Sequence, residues 1–141
     1  MNRSEIADAT PRRILIVEDE AIIAWDIAMQ LRDLGYEPLG PASNGEQAIE
    51  MAARLRPHLV LMDIHLGSAM DGITAAQAIR NQFDVPSVFL SAFASGDSLA
   101  RAELARPAGY MSKPFGETEL ADAIASAFEK IQAVLGTPPG S

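Results

Sequence analysis

The segment Leu59–Asp63 (LVLMD) decides the fold, because four successive apolar residues lead directly to a carboxylate. Apolar runs without alternation are typical of parallel strands that are buried on both faces. Three further runs have this form and lead to polar residues: Ile14–Val17 (ILIV) to Glu18 and Asp19, Ser87–Leu90 (SVFL) to Ser91, and the weaker Gly109–Met111 to Lys113. In an open parallel sheet, ligands bind beyond the carboxyl ends of the strands. We therefore expect these polar side chains to meet at one edge of one sheet.

Composition limits the class of protein. The chain has 141 residues, a mass of 15.0 kDa and 48% hydrophobic residues, which predicts one globular domain. A net charge of −8 argues against a nucleic-acid partner, because binding a phosphate backbone requires positive charge. There is no cysteine, so disulfide and thiol chemistry are excluded. We find neither a secretion signal nor an apolar run long enough to span a bilayer, and we expect a cytoplasmic protein without a membrane partner.

Apolar periodicity and turn residues predict an alternating order of strands and helices. The predicted strands are about 12–18, 36–40, 58–62, 86–91 and 108–112. The predicted helices are 20–34, a second that Pro41 and Asn44 open and that ends before Pro57, 73–81, a weak one near 98–106, and 117–135. Residues 1–11 and 136–141 are expected to be flexible tails around a domain at 12–135.

Five such βα units predict an α/β fold, a doubly wound parallel sheet with helices on both faces. Two strand orders are common for such sheets. In the order 2-1-3-4-5, the topological switch point lies between strands one and three. Those strands lead to Glu18, Asp19 and Asp63, so topology and chemistry agree on this order.

Four motifs occur in order along the chain: ILIVEDE, LVLMDIHL with MDGI, FLSAF and GYMSKPF. With them, the chain from about Arg12 to Leu135 resembles the receiver domain of two-component response regulators, which is flavodoxin-like and includes the chemotaxis regulators. The resemblance implies that Asp63 accepts a phosphoryl group from a sensor histidine kinase or a histidine phosphotransfer protein. Signal would then pass through contacts with an unknown downstream protein. The expected activity is limited to magnesium-dependent self-phosphorylation from a phospho-donor and slow autodephosphorylation, so we do not expect an enzyme.

The resemblance also implies a cofactor, Mg²⁺, which has a physical rationale. Crowded carboxylates repel one another, and a hard dication with oxygen ligands relieves that repulsion. The implied ligands are Asp19, Asp63, Glu18 through water, and the backbone carbonyl of His65. Lys113 would hold one phosphoryl oxygen, and the Ser91 hydroxyl would donate a hydrogen bond to another.

Further roles follow from the same resemblance. Ser91 and Tyr110 would form a switch in which the tyrosine ring turns inward after phosphorylation, although Tyr110 could instead be a packing aromatic. The Lys113–Pro114 peptide is expected to be cis. The residues expected to dock the histidine-bearing partner are Ile22, Trp25, Pro114 and Phe115. For Trp25 the alternative is partial burial against the last helix.

Some positions depart from the usual pattern. The loop after Asp63, IHLGSAMDG, is one residue longer than the common form and lacks its proline. Ser91 stands where threonine is more common. Phe93 is expected to shield the phosphoryl group and slow its hydrolysis, or merely to pack on its own loop.

Other readings remain open. Each polar residue alone could serve as a helix cap or a turn residue. An aspartyl-phosphate phosphatase or mutase fits poorly, because its second aspartate should follow two residues after a nucleophile on strand one, where Glu20 and Ala21 stand here. A phosphorylation-independent pseudo-receiver would lack one of the acidic residues or the lysine. If the sequence is a whole gene product, we expect a stand-alone receiver; otherwise it is a receiver fragment of a larger regulator.

Overall fold

The computed structural model describes residues 11–67, 69–92 and 96–136. Nearly all of the two predicted tails lies outside these residues, and so does Phe93. Within the described part of the chain, no helix is both long and apolar enough to cross a bilayer.

Five parallel strands form one sheet in the order β2-β1-β3-β4-β5, which confirms the predicted fold class and strand order. The strands are β1 (Arg13–Val17), β2 (Glu37–Ala42), β3 (Leu59–Asp63), β4 (Ser87–Ser91) and β5 (Gly109–Ser112). Every residue of β3 and β4 is buried, as expected for strands that are covered on both faces.

Helices follow each strand. They are α1 (Ala21–Asp33), α2 (Gly45–Leu55), α3 (Gly72–Phe83), α4 (Gly96–Glu103) and α5 (Glu117–Gly136). Side-chain caps begin two of them, because Asn44 accepts from Gln47 N and Asp71 accepts from Thr74 N. Most predicted boundaries agree within two residues, whereas α4 begins two residues earlier and ends three residues earlier than expected.

The prediction that Pro41 opens the second helix is wrong. β2 continues through Pro41 to Ala42, and α2 begins only after Asn44. The register between β1 and β2 shifts where Gly40 and Pro41 lie, so β2 accommodates a residue that cannot donate a ladder hydrogen bond. Proline therefore marked an irregularity in an edge strand.

Alternate residues of each strand enter two separate cores. On one face, Leu15, Val60 and Phe89 pack with α2, α3 and α4. On the other face, Ile16 and Leu61 join the cluster formed by α1 and α5. Apolar side chains cover both faces of the sheet, so the polar side chains of the predicted site lie at its carboxyl edge.

Candidate functional site

The polar residues predicted to meet do lie at the carboxyl edge of the sheet. Asp63 ends β3 and Ser91 ends the neighbouring β4, whereas Glu18 and Asp19 follow β1 and Lys113 follows β5. The backbone continues the sheet pairing slightly beyond the strands, since Lys113 N donates to Ser91 O at 2.8 Å. Parallel pairing thus carries residues from distant parts of the chain to one site.

Three carboxylates form an acidic cluster at this edge. Glu18, Asp19 and Asp63 each offer an oxygen, and these oxygens lie within 4.8 Å of one another. Glu18 and Asp63 are buried, with exposures of 1% and 4%, whereas Asp19 is exposed. A cluster of carboxylate oxygens that is partly open to solvent fits the ligand preference of a hard divalent cation. The structure therefore contains a group of residues that could bind a metal.

Lys113 is the counter-charge of this cluster. Its Nζ lies 2.6 Å from Glu18 Oε1 and 3.1 Å from Asp63 Oδ2. The Lys113–Pro114 peptide is cis, as expected. The ammonium therefore bonds to carboxylates in this structure, and its contact with a phosphoryl oxygen stays a prediction.

Electrostatics in the cluster reflect burial and this ion pair. Burial raises the pKa of Glu18 to about 7, and the hydrogen bond from Lys113 offsets part of the effect. Burial lowers the pKa of Lys113, but its bonds to Glu18 and Asp63 outweigh burial and leave that pKa raised. Lys113 is thus held in its charged form, whereas ionising the Glu18 carboxyl costs more free energy than it would in water.

His65 lies two residues beyond Asp63 in the same loop. Its backbone N–H donates to Asp63 Oδ1 at 3.0 Å, and its side chain is exposed. The backbone amide of His65 thus makes a hydrogen bond to Asp63 that we did not predict. Its carbonyl as a metal ligand stays a prediction.

The two proposed switch residues lie in different environments. Ser91 is buried at the end of β4, beside the strand that ends in Asp63. Tyr110 lies on the edge strand β5 with 40% of its surface exposed, and its hydroxyl donates to Glu103 Oε1 at 2.8 Å. Burial and the Glu103 carboxylate raise the pKa of Tyr110 to about 12. The tyrosine ring packs against the buried ring of Phe89, with centroids 6.0 Å apart, while its hydroxyl bonds to Glu103. Its link to Ser91 stays a prediction.

A largely apolar groove of about 700 Å³ runs from the acidic cluster to α1. Its lining includes all four predicted docking residues, which are Ile22, Trp25, Pro114 and Phe115, together with Asp63 and Lys113. Trp25 is 65% exposed and Ile22 is 83% exposed. This exposure favours the open-surface reading of Trp25 over burial against the last helix.

Our sequence analysis assigned no role to two glycines that follow β3, Gly67 in the loop and Gly72 at the start of α3. A Cβ on Gly72 would lie 1.9 Å from the carbonyl oxygen of Asp63, so only glycine allows α3 to start this close to the site. Gly67 N donates to Asp19 Oδ2 at 2.9 Å, a contact between residues 48 positions apart. The Asp71–Gly72 pair before an apolar helix was an available signal for the first glycine, whereas no sequence signal indicated the second.

Two polar contacts of α4, one ion pair and one hydrogen bond, were also not predicted. Arg101 donates to both carboxylate oxygens of Asp71, at 2.8 and 3.3 Å. Together with the bond between Glu103 and Tyr110, this pair ties α4 to the start of α3 and to β5. Each of these contacts joins residues that become neighbours only after the sheet has formed.

Comparison with known proteins gives a consistent assignment. The profile of the response regulator receiver domain matches residues 14–125. The transcriptional regulatory protein PdtaR of Mycobacterium tuberculosis is 43% identical over 131 residues, which cover 91% of this chain and 63% of PdtaR. The phyllosphere-induced regulator PhyR of Methylorubrum extorquens is 32% identical over 124 residues, covering 87% of this chain and 46% of PhyR. The chain thus spans about half to two thirds of the length of these relatives.

Solved structures show the same architecture. The signal receiver domain of a modulated diguanylate cyclase from Desulfovibrio desulfuricans G20 has a TM-score of 0.81 at 34% identity and covers 87% of this chain and 98% of that domain. Chemotaxis protein CheY4 of Vibrio cholerae has a TM-score of 0.77 at 23% identity, covering 84% of this chain and 99% of CheY4, and supports the fold alone. With the matching profile, the strand order and the acidic cluster, this chain belongs to the family of response regulator receiver domains.

Proposed function

We propose that this receiver domain accepts a phosphoryl group on Asp63 from the phosphohistidine of a sensor histidine kinase or a phosphotransfer protein. The observation that carries the proposal is the contact of one ammonium, that of Lys113, with two buried carboxylates, Glu18 and Asp63. Phosphoryl transfer depends mainly on positioning and charge neutralisation, which such a cluster supplies.

The proposed transfer is a single displacement. A carboxylate oxygen of Asp63 forms a bond to phosphorus while the bond between phosphorus and the imidazole nitrogen breaks. The electron pair of that bond stays on the nitrogen, so a phosphohistidine protonated on its other nitrogen leaves as neutral imidazole. The product is an acyl phosphate on Asp63. The Lys113 ammonium, 3.1 Å from Asp63 Oδ2, lies close enough to neutralise charge on the transferred oxygens.

Mg²⁺ fits this site, and we propose that Glu18, Asp19, Asp63 and the carbonyl of His65 hold it. The fit rests on the three carboxylate oxygens within 4.8 Å of one another, a donor set that magnesium prefers. When bound, the ion would supply positive charge for the phosphoryl oxygens. The chain's own residues would do the rest: Lys113 neutralises, and the Ser91 hydroxyl donates to a phosphoryl oxygen.

The apolar groove is the proposed docking surface for the histidine-bearing partner. It connects Trp25 and Phe115 with Asp63, so a partner seated there could bring its histidine to the carboxylate. Exposed tryptophan is a frequent anchor of protein interfaces. Signal would then leave through a downstream protein, with Ser91 and Tyr110 as the switch. The cytoplasmic location expected from the sequence stays a prediction, and so does the absence of an enzymatic activity beyond self-phosphorylation and slow dephosphorylation.

The test is intact mass after incubation with acetyl phosphate and Mg²⁺. Wild type should gain one phosphoryl group, and Asp63→Asn should gain none. Asp84→Asn is a matched control, because Asp84 is an exposed aspartate whose positive φ of 57° asparagine tolerates. Gain by Asp63→Asn equal to that of wild type would refute the assignment. If no folded protein gains mass, beryllofluoride binding separates a receiver that needs its kinase, which binds it, from a pseudo-receiver, which does not.

A further inference from the structure

Each carboxylate of the acidic cluster accepts a hydrogen bond from a backbone N–H, but the donors come from different parts of the chain. Glu18 and Asp63 accept from residues two positions later in their own loops, Glu20 at 3.2 Å and His65 at 3.0 Å. Asp19 instead accepts from Gly67, which lies 48 positions away in the loop between β3 and α3. The orientation of Asp19 therefore depends on a different loop from its own.

Asp19 is also the carboxylate that most needs such support. Glu18 and Asp63 are buried and bonded to Lys113, which restricts their side chains. Asp19 is exposed, and an exposed carboxylate is free to rotate unless a hydrogen bond fixes it. Magnesium requires near-ideal octahedral geometry, so a rotating ligand would weaken its binding.

Residue 67 has two requirements in this arrangement. It must have an N–H to donate, which excludes proline. It is also best without a side chain, because a Cβ there would lie 3.1 Å from Asp19 Oδ2 and the carboxylate would have to shift by a few tenths of an ångström to admit it. Gly67 meets both requirements, and its loop is the one that departs from the usual receiver pattern in length and in lacking a proline.

We propose that Gly67 is a positioning residue, whose backbone N–H holds Asp19 in the orientation that binds the cation. The proposal rests on the proposed cation site of this receiver. Loss of a hydrogen bond to a metal-ligating carboxylate typically lowers metal affinity by about 10–100-fold. For an exposed carboxylate we expect the lower end, about tenfold, when the Gly67 N–H is removed.

The experiment compares Gly67→Pro, which removes the N–H, with Gly67→Ala, which keeps it. The probe is Mn²⁺, whose free concentration is followed by electron paramagnetic resonance. Gly109→Ala is the control for two reasons. The added Cβ would lie at an ordinary 3.8 Å from its nearest atom, Val88 Cγ2, and Gly109 is not part of the acidic cluster. Gly67→Pro should bind Mn²⁺ about tenfold more weakly than wild type, and Gly67→Ala should lose clearly less affinity.

Two readouts separate positioning from a general structural role. The urea midpoint in EDTA should be similar for Gly67→Pro and wild type, since no cation is bound. The Mg²⁺ concentration that gives half-maximal phosphorylation by acetyl phosphate should rise in Gly67→Pro, with a smaller change in the maximal rate. Equal Mn²⁺ affinities of Gly67→Pro and wild type would overturn the role of Gly67 and leave phosphorylation of Asp63 untouched. Absence of Mn²⁺ binding by wild type would overturn both this proposal and the cation site.

A second measurement keeps the proposal testable if Gly67→Pro does not fold. In wild type, the amide proton of Gly67 should resonate downfield in the NMR spectrum, as expected for a donor to a carboxylate. In Asp19→Ala it should move upfield and exchange faster with solvent. An amide resonance that Asp19→Ala leaves in place would overturn the proposal.

Discussion

Replacement of Gly72 by alanine tests how closely α3 approaches the site. The added Cβ would lie 1.9 Å from Asp63 O and 2.8 Å from the carbonyl carbon, whereas ordinary contacts begin at 3.4 Å. Either α3 or the loop before it would have to move by about 1.5 Å, because the two atoms that the Cβ would meet belong to the backbone and cannot rotate away. Overpacking costs about 1–3 kcal/mol, and for a backbone clash we expect the upper end, about 3 kcal/mol.

Urea unfolding is the assay for this prediction. With a slope of about 2 kcal/mol/M, a loss of about 3 kcal/mol lowers the midpoint by about 1.5 M. Gly109→Ala is again the matched control, and its midpoint should be unchanged or slightly raised, because alanine restricts the unfolded chain. Since the clash bears on Asp63, the folded fraction of Gly72→Ala should also be phosphorylated more slowly. A Gly72→Ala midpoint equal to that of Gly109→Ala would refute the close approach.

Three further predictions concern charged groups. Lys113→Met leaves two buried carboxylates without their counter-charge, so the free energy of unfolding in EDTA should fall by about 3 kcal/mol and partly recover with Mg²⁺. Lys130→Met is its control, and equal losses in the two variants would contradict the role of the ion pair. Asp71→Ala removes both a helix cap and an ion pair and should cost about 1–2 kcal/mol in urea unfolding, whereas Arg101→Gln removes the exposed pair alone and should cost clearly less than Asp71→Ala. If the two losses are the same, the cap contributes nothing. Burial and nearby arginines lower the pKa of His58 from its usual 6.5, so the unfolded chain takes up the proton first and stability should fall as the pH drops below 6.5. His58→Gln should flatten that slope, and superimposable pH profiles of the two proteins would rule the effect out.

The sheet and the acidic cluster could be predicted because they depend on local pattern. Runs such as Leu59–Asp63 combine burial on both faces with a polar residue at the strand end, and parallel pairing then brings Asp63 to Glu18 and Lys113. Proline at position 41 misled the prediction, because its missing N–H is compatible both with the start of a helix and with an edge strand. Only the pairing of β2 with β1 decides between these two.

Two contacts that could not be predicted join residues from different loops or helices. The hydrogen bond from Gly67 to Asp19 and the pair of Arg101 with Asp71 join residues 48 and 30 positions apart. Nothing in the residues themselves indicates these partners, since a glycine N–H or an arginine can bond to any nearby acceptor. Such contacts follow from the angle at which the elements pack, which periodicity does not determine.

Lys113 connects the acidic cluster with the apolar groove. The ammonium of Lys113 donates to both Glu18 and Asp63, and burial raises the free-energy cost of ionising Glu18. A phosphoryl group on Asp63 would bring more negative charge than either carboxylate carries, so the ammonium should move to it. The next two residues, Pro114 and Phe115, line the apolar groove with Trp25. A shift of Lys113 would therefore displace part of the surface that we propose for the partner, so the charge on Asp63 and the affinity of that surface should change together.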